Sequence, residues 1–219
     1  MRIINSEGAI QLLLKETMST VDKIKTLQSA INALKTSVDE ESEVRDEDDD
    51  WMNDPRYAEA KEATRKDYEN ELEQLKIRGS HPDGLEPIVV LMGDASMIMQ
   101  NVIEPFKKEV LYDSYYGWDI EFKEIDSSQL TKDYVRNLQR PTAEDGGVLF
   151  VKNLSCFCDM YDINDQAQIV RDIMVNRFGV ISTGWRIVFI EDTDDKEKTF
   201  PNAFIYNWTK GNLYIWFVE

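Results

Sequence analysis

Few side chains in this sequence are of types that do chemistry. The 219 residues hold one histidine, His81, and two cysteines, Cys156 and Cys158. His81 lies in Ser80-His81-Pro82-Asp83-Gly84, a turn-forming run, so a nucleophile–base pair would have to be built from a loop. One residue separates the cysteines, too few for an easy loop disulfide, and both read as buried or half-buried thiols. These ligands are too few for a Cys/His zinc site. Asp192, Asp194 and Asp195 lie close together, but an exposed run of acids is ordinarily solvated, and no metal site is expected. One segment has a form suited to a cofactor. An apolar run, Pro87 to Met92, leads into Gly93-Asp94-Ala95-Ser96-Met97-Ile98-Met99-Gln100. A phosphate cradle at such a strand–helix corner reads G-x-x-x-x-G-K-[S/T]. Its second glycine frees backbone amides, its lysine neutralises charge and its hydroxyl holds Mg²⁺. Gly93 fits the first position. Ile98, Met99 and Gln100 stand at the second glycine, the lysine and the hydroxyl, and Asp94 adds negative charge where a polyphosphate would lie. No cofactor is expected, and no catalytic residue stands out.

The charge narrows the partners. Twenty-five Lys and Arg against 42 Asp and Glu leave a formal charge of −17. Such a chain does not hold a phosphate backbone or an anionic membrane surface by bulk attraction, so neither nucleic acid nor membrane is expected. Residues Asp39 to Asp54 alone carry ten acids and one arginine, a solvated linker by composition. Trp51, inside it, is a candidate docking anchor. No apolar run reaches membrane-spanning length and the start lacks the pattern of a signal peptide, so the expected location is cytoplasmic.

Before the linker, Ile10, Leu14, Thr17, Val21, Ile24, Leu27, Ile31, Leu34 and Val38 recur at steps of three or four. This predicts a long amphipathic helix of about 30 residues with a coiled-coil-like seam. A second helix is predicted from Pro55, capped by Asp54, to Gly79, pairing with the first as a hairpin. From Pro87 onward, apolar runs at 87–92, 118–125, 147–151, 185–190 and 213–218 predict strands. Helical stretches at 95–111, bent or interrupted at Pro105, and at 128–138, 166–177 and 202–208 lie between or before them. Near-continuous apolar strands alternating with helices predict a parallel sheet covered on both faces. The units are then residues 1–38, a linker at 39–54, 55–79 and an α/β domain at 85–219.

A family resemblance rests on three stretches. Gly146-Gly147-Val148-Leu149-Phe150-Val151-Lys152-Asn153-Leu154 resembles the Walker B strand of AAA+ ATPases, where G-V-L-F-L precedes Asp-Glu. Asp165 to Met174, then Gly184-Trp185-Arg186-Ile187-Val188, is similar to the helix and W-R-I-V sensor strand of the MoxR-like branch. Phe200-Pro201-Asn202-Ala203-Phe204-Ile205-Tyr206-Asn207-Trp208 resembles that branch's L-P-P-A-L-L-S-R-F segment. The resemblance spans about residues 87–219. It implies a three-layer core with five parallel strands in the order 5-1-4-3-2, counted from Pro87, without the family's helical lid. In the family the Walker B Asp orients Mg²⁺ and the Glu activates water. Here Lys152 and Asn153 occupy those positions. The sensor Asn corresponds to about Asp192 and the arginine finger to Asn207.

With the catalytic positions lost, the expected function is that of a non-catalytic AAA+-like protein, a pseudo-ATPase acting through protein contacts. Its partner would be an active AAA+ ATPase or another assembly protein, or a second copy bound through the first helix. Ile10, Leu14, Val21, Ile24, Leu27, Ile31, Leu34 and Trp51 are the candidate contact residues. The alternatives are an acidic inhibitor or DNA mimic, and a structural coiled-coil assembly protein.

Overall fold

The apolar runs form the middle of one sheet. In the computed structural model, which describes residues 2–40, 55–78, 88–113, 118–173, 184–199 and 213–219, strand β2 (Ile88–Gly93) is buried along its whole length. Strands β4 (Gly147–Lys152) and β5 (Trp185–Asp192) are buried except at their last residue. Strands with both faces covered have no use for polar alternation. β3 (Glu121–Asp126) is only half-buried and carries Glu121, Lys123 and Glu124, as suits an edge strand that must not pair with other chains. β6 (Leu213–Val218) lies on the other side of β2, and β1 (Arg2–Ile4) lies beyond it.

All the pairings are parallel, in the order β1-β6-β2-β5-β4-β3. The expected five-stranded sheet is thus corrected to six strands, and the order to one with an extra edge. The added strand is Arg2-Ile3-Ile4, three residues whose apolar content is too short to signal a strand. It is held by register with Trp216, Phe217 and Val218 and by Glu219 N–H donating to the Ile4 carbonyl at 3.0 Å.

Helix α1 (Ser6–Glu40) follows β1, and α2 (Pro55–Arg78) precedes β2. At 35 residues α1 is about 52 Å long, against roughly 20 Å for a six-residue strand, so it must outrun the sheet. Its first half does the work of an ordinary crossover helix. Ala9, Leu13 and Met18 are buried with Val89, Leu91 and Val218 on one sheet face. Farther along, α1 packs on α2, where Ile31 and Leu75 are buried and Lys35 approaches Glu69 at 3.7 Å. The buried stripe at the start of α1 runs Ala9-Leu13-Thr17-Val21; it meets the predicted seam at Thr17 and Val21 but begins on Ala9 and Leu13, and Ile10 and Leu14 are its half-buried flanks.

After β2 the chain is helical without a break through Pro105. α3 (Ala95–Ile98) passes into a π segment (Met99–Ile103), then α4 (Glu104–Lys108) and a second π segment (Glu109–Asp113). Pro105 has no N–H to return to Asn101, and the widened turn before it lets the Glu104 N–H reach back to the Met99 carbonyl. The predicted interruption at Pro105 is absorbed in this way. On the opposite face lie α5 (Lys132–Asn137), α6 (Leu154–Met160) and α7 (Ile163–Arg171). The helix predicted at 166–177 begins earlier, because the Asp162 carboxylate accepts the Asn164 and Asp165 amides and starts α7 at Ile163. Among the described residues no helix is long and apolar enough to cross a membrane. α1 runs through residues 39 and 40, so the predicted linker starts no earlier than 41; its residues 41–54, His81, Gly79, Trp51, Asn207, the helix predicted at 202–208 and the side chain of Val38 lie outside the described residues.

Candidate functional site

In the strand order β2 is followed in the chain by β3, beyond β5, and β5 is followed by β6, beyond β2, so the carboxyl ends of β2 and β5 form the switch point of the sheet. A cavity of about 650 Å³ opens there, lined by Asp94, Met97, Asp192, Thr193, Asp194, Lys196, Phe217, Val218 and Glu219. This is where a doubly wound protein ordinarily holds a phosphate.

Gly93 ends β2 and Ala95 begins α3, so a single residue, Asp94, makes the turn. No loop is left to wrap a phosphate group. Gly93 has φ of 144°, and a Cβ there would stand 2.9 Å from the Val218 carbonyl oxygen, so the glycine answers to the close approach of β6. Asp94 caps the helix, its carboxylate accepting the Met97 N–H at 2.9 Å. Asp192, reaching over from β5, accepts the Ala95 N–H at 3.1 Å. The amides that would greet an anion are therefore already bonded to two of the protein's own carboxylates. Ile98, at the position of the cradle's second glycine, is fully buried in the core. Met99 packs half-buried against the same cluster, and Gln100 is exposed. Lys196 is the cationic side chain lining the cavity; it pairs with Glu219 and lies 5.5 Å from the Phe217 ring.

The Walker B positions are tied into the frame as well. Lys152 is half-exposed and lies 3.5 Å from Glu124, which also pairs with Lys107. Burial alone would raise the Glu124 carboxyl, but Lys107 and then Lys152 outweigh it and hold it below the usual range. Asn153 has φ of 61°, in the left-handed region that asparagine tolerates better than other side chains. Its N–H donates to the Ile190 carbonyl, its carbonyl accepts the Ser127 hydroxyl and the Cys156 N–H, and its side-chain amide donates to Asp126. Asn153 thus joins β3, β4, β5 and α6 at one point. Asn153→Ala and Asn153→Gly both lose the Asp126 bond, but only alanine adds left-handed strain, so we expect alanine to be less stable by about 1 kcal/mol. Chemical denaturation of the two variants checks this; a glycine variant less stable than the alanine one would contradict the structural role of the backbone.

Glu191 went unnoticed in the sequence because it looks like the polar end of an apolar strand. It is only 3% exposed. Its carboxylate accepts the Ser155 N–H at 2.9 Å and the Ser155 hydroxyl at 2.6 Å, capping α6, and it pairs with Lys198. Burial pushes this carboxyl up, but Lys198 and Ser155 prevail and hold it below the usual carboxylate range. α6 was equally hidden: Leu-Ser-Cys-Phe-Cys-Asp-Met is too short for a period. Cys156 and Cys158 lie on it, both half-buried, and burial, helped by Asp159 and Glu191, pushes the Cys158 thiol up to about 11. Among the described residues no group of three His, Cys, Asp or Glu side chains is placed to hold a metal ion.

The predicted contact residues are dispersed. Val21 and Ile31 are buried inside the chain, at 2% and 5% exposure. Ile10, Leu14, Ile24, Leu27 and Leu34 are half-buried. Among the described residues the exposed large apolar side chains, Ile3, Leu111, Tyr112, Met160 and Ile163, lie elsewhere. Sequence periodicity could not separate a seam shared with another chain from one used by the chain's own sheet and second helix.

No family model matches the sequence, and no curated protein matches it either.

Proposed function

We propose that this chain is a non-hydrolytic α/β protein, AAA+-like in its layout, that works through contacts with another protein. The observation that carries the reading is the one-residue turn at Asp94, with Asp94 and Asp192 bonded to the first amides of the helix. A γ-phosphate there would meet carboxylates in place of amides. At about 5 Å each unit-charge repulsion costs roughly 1–3 kcal/mol for an effective dielectric between 20 and 80. The groups at the Walker B positions are tied into the frame, Lys152 beside Glu124 and the Asn153 amide on Asp126. What remains on offer is surface. The most distinctive part of it is the α1–α2 arm, whose α2 carries closely spaced opposite charges such as the Glu62–Arg65–Glu69 chain. The partner is a protein that reads this arm.

Affinity capture tests the reading. Wild-type chain and a variant with Glu59→Lys, Lys66→Glu and Glu73→Lys, all exposed on α2, are compared as baits. We expect a stoichiometric partner on the wild type that the variant loses. Equal capture by both baits would remove the arm from the account, and no partner on either would contradict the interaction reading.

A further inference from the structure

We propose that the partner of the α1–α2 arm is a second copy of this chain, the two arms packing side by side as a four-helix bundle. This rests on the reading of the arm as a contact surface and names what the arm meets.

The arm outruns its support. Lys25 of α1 still reaches the sheet domain, its ammonium lying 2.6 Å from Asp145 in the loop before β4. Farther along, α1 packs on α2, and α2 has no comparable interface with any other element among the described residues. Two helices alone do not enclose a seam, because the apolar stripe of each needs cover on more than one side. The burial shows this. Ile31 and Leu75 are buried, but Ile24, Leu27 and Leu34 of α1 and Tyr68 and Leu72 of α2 are only half-buried. A second helix pair laid on this stripe completes the cover, and each Leu or Ile fully buried contributes roughly 1.5–3 kcal/mol relative to exposure.

The size is sufficient. Nineteen residues of α1 from Asp22 to Glu40 span about 28 Å and the 24 residues of α2 about 36 Å. A face two helices wide, roughly 20 Å, and about 30 Å long covers about 600 Å². Two such faces bury about 1,200 Å² in total, where stable specific interfaces begin.

The charge pattern suits a copy of the same surface. From Asp22 to Glu40 and from Pro55 to Arg78 the arm holds nine basic and nine acidic residues, so its helices are neutral in a chain of −17. The two signs alternate closely on α2. Arg65 pairs with Glu62 and Glu69, each at 2.6 Å, and Lys66 lies 3.4 Å from Glu62. A neutral surface offers no field to steer a strongly acidic or basic partner, whereas a surface with equal numbers of both signs meets its own copy without net repulsion. The stretch 41–54, with eight acids and one arginine, joins the two helices and repels its counterpart, so screening by salt tightens the pair.

Sedimentation equilibrium of the purified full chain from about 1 to 100 µM reads the state. We expect a dimer with a Kd of about 10 µM or tighter, at least about threefold tighter at 0.3 M than at 0.05 M salt. A second measurement locates the contact. Single spin labels are placed at Lys66→Cys on α2 or at Asp133→Cys on α5, both exposed, in the full chain with Cys156→Ser and Cys158→Ala. Near-UV circular dichroism confirms that each variant keeps its packed core. The Lys66→Cys label should give an intermolecular distance below about 40 Å, the scale of the arm, which excess unlabelled chain removes, and the Asp133→Cys label none. A chain that stays monomeric at the highest concentration would overturn the proposal, and the bait comparison above would then decide whether the arm meets a different protein. A dimer that loosens with salt would replace the apolar seam by ion pairs. A short distance at Asp133→Cys with none at Lys66→Cys would move the contact off the arm. Either result overturns the bundle.

Discussion

Gly147→Ala lowers the stability of this fold by about 3 kcal/mol or more, at the upper end of what overpacking ordinarily costs. A Cβ at Gly147 would stand 2.3 Å from the Trp185 ring and 3.0 Å from the Glu121 carbonyl oxygen. Neither neighbour can retreat. Gly147 and Trp185 are register partners on adjacent central strands, Trp185 is fully buried, and its indole N–H is fixed on the Gln139 carbonyl at 2.9 Å. For a chain of this size the loss corresponds to a fall of about 6–12 °C in Tm. Trp185→Leu in the same chain opens the space, so the double variant should lose less than the two single losses combined. A Gly147→Ala variant within 2 °C of wild type by calorimetry would contradict the packing described. Gly147 at the start of β4 and Trp185 at the start of β5 are thus one steric unit, glycine supplying the seat and tryptophan the filling.

Glu191→Gln is the second large effect. The variant keeps the shape but loses the charge that Lys198 and two Ser155 donors surround. We expect a loss of about 2–3 kcal/mol at pH 7, the ordinary range for hydrogen bonds to a charged group. The sign of the pH dependence is fixed by the lowered carboxyl. Its contribution is full above the unfolded value near 4.3 and disappears as pH falls through the lower folded value. Urea unfolding of wild type and variant should therefore show a gap at pH 7 that closes toward pH 3. A gap that is constant with pH would assign the loss to shape in place of charge.

The layered plan was legible because the central strands are apolar along their whole length, and only burial on both faces permits that. The long first helix was legible from its period. Its role was not, since Ala9, Leu13 and Met18 bury against the sheet while Ile10 and Leu14, on the stronger-looking stripe, are its flanks. A helix that serves a sheet for its first turns and another helix afterwards shows two overlapping stripes, and their sum looks like one seam. β1 escaped because three residues carry no period, and its strand character comes from β6. At the candidate site, the mismatch to the phosphate-cradle motif was plain in Ile98, Met99 and Gln100. The closing contacts were not, because Asp192 is 97 residues from the Ala95 amide it accepts. The cap at Glu191 likewise joins residues far apart in sequence, Ser155 lying 36 positions away, and only the fold brings them together.

The central claim, a switch point closed to nucleotide by the protein's own carboxylates, is tested most directly by titrating Mg·ATP into the full chain in a calorimeter. The account predicts no saturable heat up to millimolar nucleotide. A saturable isotherm in the micromolar range, reduced at least tenfold by Lys196→Ala or Lys152→Met, would place a phosphate among these groups and contradict it.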